Sequence, residues 1–204
     1  SPDKGVLGGA VVVDVQNKEG VIVHVTDAEP KIENGVVSGK IDWAYRFSNM
    51  QQHSGEHVFS GIIHEKYGYD NKGFHLSDNS VTLDTSGPLT EEQIKEIEKV
   101  ANRIILENHV VKTYFPSDEE LASIEFRCKD GIEGDVRLVE IEGVDRCACC
   151  APHVDYTGEI GFIKLLSSER HRGGTRITLV CGMDAYDAVC TMQRNITSIS
   201  NLLS

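Results

Sequence analysis

The sequence predicts an α+β protein, with a small antiparallel β unit over residues 1–46 and an α+β domain over residues 47–204. Apolar and polar residues alternate in short runs up to about residue 45, which is typical of strands separated by turns. Beyond that point helical and strand patterns follow each other in mixed order. A mixed order, without regular β–α alternation, favours an α+β fold with an antiparallel sheet.

The N-terminal unit contains three predicted strands, over Ala10–Val15, Gly20–Val25 and Gly35–Asp42. The turn sequences NKEG and ENG separate them. Three strands are too few to close a barrel, so we expect the unit to be incomplete and further chain to precede Ser1.

Two long helices are predicted next. The first runs from about Phe47 to Tyr67, although Gly55 and Gly61 each disfavour a helix by ~1 kcal/mol relative to alanine. The second, over residues 89–109, is the clearest element, because Thr90 and Gln93 have capping-box spacing and isoleucines recur on one face. The remaining predictions are a hairpin over Phe74–Asp84 that turns at Asp78 and Asn79, strands over Val110–Phe115, Asp135–Ile141, Gly158–Leu166 and Gly174–Gly182, and helices over Ser117–Ile124 and Met183–Ser204.

Composition restricts the class of protein. Of the 204 residues, 40% are hydrophobic and 25% are charged, the profile of a globular domain. No apolar run reaches the length of a membrane span, and no secretory signal opens the chain, so we expect a cytoplasmic protein without membrane contact. In a reducing compartment, six cysteines indicate metal ligands, reactive thiols or core residues before disulfides.

The net charge of −12 requires that any nucleic-acid partner meet a local basic patch. The segment ERHRGGTR supplies a candidate, with Arg170, Arg172 and Arg176 around His171. A solvated β-turn accounts for this composition equally well.

Two short motifs, about 90 residues apart, together predict a metal site. His53 and His57 are four residues apart, which places both imidazoles on one face of a helix. The segment CACCAPH supplies Cys149 and His153 at the same spacing. Each motif alone is weak, but the pair offers two histidines from a helix and a cysteine and a histidine from a loop. Zn²⁺ prefers such nitrogen and sulfur ligands in a tetrahedron.

Spacing alone leaves the cysteine ligand open. We choose Cys149, with Cys147 as the alternative, because Pro152 stiffens the short arm that would join Cys150 to His153. A zinc peptidase of the His-Glu-x-x-His type is not matched, since Ser54 occupies the place of its glutamate. Glu56 either orients a ligand or faces solvent.

The segments that carry these motifs, RFSNMQQHSGEHVFSGIIHEKYGYDNKGFH and VRLVEIEGVDRCACCAPHVDYTGEIGFIKLL, resemble the editing domain of alanyl-tRNA synthetases and their free-standing AlaX-type relatives. The resemblance runs from about Ile41 to Gly182, and it includes a later TGEIG strand and a Gly-rich turn with arginines. By position, it implies His53, His57, Cys149 and His153 as zinc ligands and catalytic residues.

The resemblance also implies a function: zinc-dependent hydrolysis, in trans, of seryl- or glycyl-tRNA(Ala). The tRNA 3′ end is the implied partner, with Arg172 and Arg176 as contacts. Ser54, next to the first ligand, could bond a substrate hydroxyl or be an ordinary helix serine. Because catalytic zinc sites keep three ligands and an open position, we expect one of the four residues, His153 being the candidate, to bind weakly or to act on water.

The chain departs from this family in two places. Ala151 and Pro152 stand where relatives carry Gly-Thr, and this ending is closer to the Gly-Pro-His of the related threonyl-tRNA synthetase editing domain. The family's Gly-Gly-Gly-Gln motif is absent from this sequence. We therefore expect substrate specificity to differ near His153.

Two other functions stay open at this point. One is a structural zinc domain that binds RNA or protein without hydrolysis. The other is a thiol-redox or metal-sensing module that uses Cys147, Cys149 and Cys150. The final helix lacks a C-cap signal, so we expect chain to continue beyond it, and a homodimer formed through such a segment is the oligomer to test.

Overall fold

A computed structural model describes residues 2–77, 80–128 and 135–203, and it confirms the α+β class. Within these ranges the helices are α1 (Trp43–Tyr67), α2 (Glu91–Glu107), α3 (Asp118–Ser123) and α4 (Gly182–Leu203). The turn predicted at Asp78 and Asn79 lies outside the described residues. None of the described helices combines the length and the apolar character that crossing a membrane requires.

The chain divides into two compact units, Ser1–Asn49 and Met50–Ser204. The first unit holds an antiparallel sheet in the order β3-β2-β1-β6 and a separate β4–β5 hairpin. The domain boundary predicted between residues 46 and 47 stays a prediction. Helix α1 continues through these two residues without a break. The strands of this unit are β1 (Gly5–Leu7), β2 (Ala10–Lys18), β3 (Val21–Thr26), β4 (Ile32–Glu33), β5 (Val36–Val37) and β6 (Gly39–Ile41).

The second unit contains two antiparallel sheets. One has four strands in the order β12-β13-β8-β7, and the other has three in the order β11-β10-β9. Their inward faces carry the largest fully buried side chains of the described core, such as Leu83, Leu138, Ile163 and Leu179. The strands are β7 (Asn71–Leu76), β8 (Val81–Thr85), β9 (Val111–Tyr114), β10 (Leu138–Ile141), β11 (Asp145–Ala148), β12 (Ile163–His171) and β13 (Gly174–Cys181).

Helix α1 begins at Trp43 because Asp42 caps it. The Asp42 side chain accepts a hydrogen bond from the Tyr45 N–H at 3.1 Å. The start is therefore earlier than the predicted one at about Phe47. The two glycines that weaken the helical pattern allow close packing. A Cβ at Gly55 would collide with the Cys181 thiol, and one at Gly61 would lie 2.6 Å from the Val144 carbonyl oxygen.

Helix α2 has the capping box that its sequence predicts. Thr90 accepts from the Gln93 N–H at 3.2 Å, and the Gln93 side chain accepts from the Thr90 N–H at 2.8 Å. Asn108 ends the helix with a left-handed φ of 56°. Ile94, Ile97 and Ile105 are buried, as the predicted apolar face requires.

Loss of this cap should destabilise the protein measurably. In Thr90→Ala the Gln93 N–H loses its acceptor, and we expect the free energy of unfolding to fall by about 1 kcal/mol. Urea unfolding followed by circular dichroism measures the difference. Thr90→Ser keeps the hydroxyl and should stay within a few tenths of a kcal/mol of wild type. Equal losses in both variants would contradict the capping role.

The prediction of a strand through TGEIG is wrong, because Thr157–Ile160 form a turn of 3₁₀ helix. Side-chain hydrogen bonds hold this turn out of the sheet. The Thr157 hydroxyl donates to the Ile104 carbonyl at 2.9 Å, and Glu159 accepts from the Asp155 N–H at 2.8 Å. Strand β12 therefore begins only at Ile163 and pairs with β13 up to the basic turn.

Candidate metal centre

Four side chains from two distant segments converge in the second unit. His53, His57, Cys149 and His153 each offer one ligand atom, and these atoms all lie within 4.8 Å of one another. Helix α1 presents the two histidines one turn apart, and Cys149 directly follows β11. The Cys149 Sγ lies 3.5 Å from both His53 Nε2 and His153 Nε2.

This centre lies beside a cleft of about 650 Å³. His53, His57 and Cys149 line the cleft, and the ring of Phe74 stacks on His53 with centroids 5.2 Å apart. His153 is buried and is not among the lining residues. The cleft therefore gives a small molecule access to one side of the centre only.

Each imidazole is oriented by a hydrogen bond at Nδ1. His57 Nδ1–H donates to Asp145 Oδ2 at 3.0 Å, and His53 Nδ1–H donates to the Pro152 carbonyl at 3.3 Å. His153 Nδ1 lies 3.0 Å from the Ser54 hydroxyl, which can accept a hydrogen bond from it. A carbonyl and a carboxylate can only accept, so these contacts leave Nε2 of His53 and His57 for the centre.

A buried ion pair stands behind His57. The Arg127 guanidinium donates to both Asp145 oxygens, at 2.7 and 2.8 Å, and also to the Ser60 hydroxyl at 2.8 Å. Burial opposes ionisation of Asp145, but the hydrogen bonds from His57 and Arg127 outweigh it and lower the pKa of the carboxyl group. The carboxylate is thereby kept as an acceptor for His57.

The surroundings set the protonation states of the centre. Burial opposes the thiolate of Cys149, but hydrogen bonds from the three histidines outweigh it and lower its pKa to about 3. Burial lowers the pKa of His153 to about 3. Burial also disfavours the imidazolium of His57, yet the bonds to Asp145 and Cys149 raise its pKa to about 9. A thiolate and a neutral imidazole are the forms that metal ligands need, and His57 must lose a proton when metal binds.

The donor set fits a zinc ion. With zinc–nitrogen bonds of ~2.1 Å and zinc–sulfur bonds of ~2.3 Å, neighbouring atoms of a tetrahedron lie about 3.4–3.7 Å apart. The two sulfur–nitrogen distances of 3.5 Å match this spacing. Three imidazoles and a thiolate are also the ligand types that zinc prefers.

Cys147, the alternative ligand, also lines the cleft but is not one of the four converging residues. It forms a second compact group with His57 and Asp145. This group does not fit a metal, because Arg127 and His57 already occupy the Asp145 oxygens. Burial raises the pKa of the Cys147 thiol to about 12, so it remains protonated. Among the two cysteines, Cys149 is the one placed against all three imidazoles.

The other predicted contacts lie apart from the cleft. Ser54 is fully buried, and its hydroxyl accepts from the Val154 N–H at 3.1 Å as well as meeting His153. Arg172 is exposed in the β12–β13 turn with a left-handed φ of 47°. Arg176 forms a two-pronged ion pair with Asp84, with both bonds at 2.7 Å. Their roles in substrate binding stay predictions.

Sequence reasoning missed the residues that support the ligands. Asp145 precedes Cys147 and Cys149 at alternate positions, which puts all three on one face of an extended strand. That signal was available in the segment VDRCAC. Arg127 had no such signal, because it reaches the site through an isolated parallel bridge to Cys147. Arg137, which bonds the Cys149 and Ala151 carbonyls at 2.8 and 3.0 Å, was also missed.

Comparison with known proteins gives these residues a family context. Residues 136–178, which include Cys149 and His153, match the threonyl and alanyl tRNA synthetase second additional domain. The alanyl-tRNA editing protein Aarsd1-B of Xenopus laevis is 36% identical over 207 residues, covering 98% of this chain and 50% of that protein. The chain is related to the alanyl-tRNA editing proteins.

Alanine–tRNA ligases also match this chain. The ligase of Ignicoccus hospitalis is 34% identical over 202 residues, covering 95% of this chain and 22% of the ligase. The ligase of Methanococcus maripaludis is 30% identical over 211 residues, covering 98% of this chain and 24% of that ligase. The chain thus spans half or less of the length of these curated relatives. The resemblance seen in its motifs is confirmed.

Proposed function

We propose that this chain hydrolyses mischarged aminoacyl-tRNA, seryl- or glycyl-tRNA(Ala), in trans and with Zn²⁺ as cofactor. His53, His57, Cys149 and His153 are the proposed ligands, and the aminoacylated 3′ end of tRNA is the proposed partner. The compartment proposed is the cytoplasm. Relatives named for alanyl-tRNA editing support the reaction class.

The convergence of three imidazoles and a thiolate beside an open cleft carries the proposal. Zinc bound there would polarise an ester carbonyl and lower the pKa of bound water from 15.7 towards ~7. The chain's own residues would hold the ligands in place: Asp145 orients His57, and Ser54 orients His153. Because His153 does not line the cleft, a substrate would approach past His53, His57 and Cys149.

Hydrolysis would form a bond between a water oxygen and the ester carbonyl carbon. The bond to the ribose oxygen would break, and that oxygen would take a proton. Phe74 covers His53 and would limit the water that reaches the reacting ester. Arg170, near the end of β12, and Arg172, in the hairpin turn, are exposed and are proposed tRNA contacts. Arg176, the other predicted contact, would contribute only if it left Asp84.

Deacylation assays with purified tRNA(Ala) test this proposal. We expect seryl- or glycyl-tRNA(Ala) to lose its amino acid faster with the chain than without it, and alanyl-tRNA(Ala) to be spared. Chelation should abolish the activity, and added Zn²⁺ should restore it. His57→Ala removes a ligand and should lower the rate at least about a hundredfold. Unchanged half-lives for every mischarged tRNA(Ala) would overturn the proposal.

One observation favours a second function, a structural zinc module without hydrolysis. All four ligand atoms converge, and four protein ligands are typical of closed structural sites. In that case zinc would bind tightly and chelation would unfold the second unit, yet no ester would be cleaved. The assay above, run beside a metal determination, separates the two functions.

A further inference from the structure

Glu56 places a buried carboxylate on the wall of the cleft. It is 4% exposed, and it lines the cleft together with His53 and His57. Position 56 is next to His57 and three residues after His53, so on α1 it shares the side of the helix that carries the ligands. A negative charge therefore borders the space in which a substrate of the metal centre must lie.

This carboxylate is held in place by a neutral partner. Glu56 Oε1 accepts a hydrogen bond from Asn71 Nδ2 at 2.7 Å. Asn71 is itself oriented, because its Oδ1 accepts from the Gly73 N–H at 3.0 Å. The pair fixes the position of the carboxylate without neutralising its charge.

Among the described residues, which are 2–77, 80–128 and 135–203, none forms an ion pair with Glu56. Arg127 also lines the cleft, but its guanidinium is engaged with Asp145 and Ser60. Lys72, a third lining residue, is largely exposed and lies 3.5 Å from Asp70. The charges of His57 and Arg127 act on Glu56 from nearby, but neither residue contacts the carboxylate in a direct ion pair. A cation supplied by a ligand in the cleft would therefore find a buried carboxylate without a direct ionic partner.

We propose that Glu56 binds the α-ammonium group of the aminoacyl ester. This inference rests on the proposed function and identifies how that site recognises its substrate. The ammonium is two bonds from the ester carbonyl, so a carbonyl at the metal centre brings it within reach of the residue next to His57. An ester whose amine is already in a peptide bond lacks the charge, and the chain would therefore spare peptidyl-tRNA.

Binding of a matched pair of non-hydrolysable analogues tests the inference. The glycyl and glycolyl amides of 3′-amino-3′-deoxyadenosine differ in one group only. The glycyl amide carries an α-ammonium group where the glycolyl amide carries a hydroxyl group. Calorimetry on the zinc-loaded full chain should show the glycyl amide binding about tenfold to a hundredfold more tightly. In Glu56→Gln this ratio should fall to within about twofold. Glu65→Gln, on the exposed end of the same helix, should keep the wild-type ratio.

Hydrolysis of glycyl- and glycolyl-tRNA(Ala) provides the second measurement. The ratio of their kcat/KM values should fall in Glu56→Gln by the same factor as the binding ratio, at unchanged zinc content. If Glu56→Gln slows both esters equally, the residue acts on water and the ammonium role is overturned, while the proposed function stands. If wild type cleaves neither of these esters nor seryl-tRNA(Ala), the proposed function itself is overturned.

Discussion

Asp145→Asn is expected to weaken zinc binding by about tenfold to a hundredfold and to destabilise the fold by about 3–5 kcal/mol. The carboxylate accepts from His57 and pairs with Arg127, and its exposed fraction is only 9%. An asparagine has the same shape but no charge. It leaves the Arg127 guanidinium buried without a counter-ion, and it no longer favours the His57 tautomer that presents Nε2.

Two measurements separate these effects. Competition with a chromophoric chelator gives the zinc affinity, and urea unfolding in excess chelator gives the stability of the metal-free protein. Asp155→Asn is the matched control, because that exposed carboxylate lies two residues beyond His153. It should change neither quantity appreciably. Wild-type zinc affinity in Asp145→Asn would show that His57 needs no carboxylate to orient it.

Gly174→Ala is expected to destabilise the second unit by about 3 kcal/mol or more. A Cβ at Gly174 would collide with the Thr85 carbonyl oxygen and lie 2.8 Å from its carbonyl carbon. Both atoms belong to the backbone of β8, so no side-chain rotation relieves the clash. The adjacent Thr175 hydroxyl, which accepts from the Leu89 N–H at 2.8 Å, would be displaced as well.

The midpoint of thermal or urea unfolding measures this loss. Gly39→Ala is the control, because a Cβ there would meet only the Leu7 side chain, at 3.2 Å. Neither Gly174 nor Gly39 has the positive φ that strains an alanine, so the comparison isolates the backbone clash. Equal stability of the two variants would contradict the close approach of β13 to β8.

Local signals in the sequence were sufficient where local contacts decide the structure. The capping box of α2 involves residues three apart, and its apolar face follows from the period of the helix. The four-residue spacing of His53 and His57 likewise requires only a helix to put both imidazoles on one side. The α+β class and the approximate positions of the strands came from the same kind of pattern.

The TGEIG segment shows where local reading failed. Its residues are compatible with a strand, but Thr157 bonds the end of α2 and Glu159 bonds the preceding backbone. These interactions involve side chains that the alternation pattern does not consider. A 3₁₀ turn therefore replaces the start of the predicted strand.

The sequence by itself determined the donor types of the candidate centre and the helix that carries two of them. Only the tertiary structure decided which cysteine faces the imidazoles, because Cys147 and Cys149 are two residues apart and differ in what packs against them. It alone also brought Arg127 behind Asp145 and left Glu56 without a direct ion-pair partner among the described residues. These arrangements depend on contacts between distant segments, and no local period encodes them.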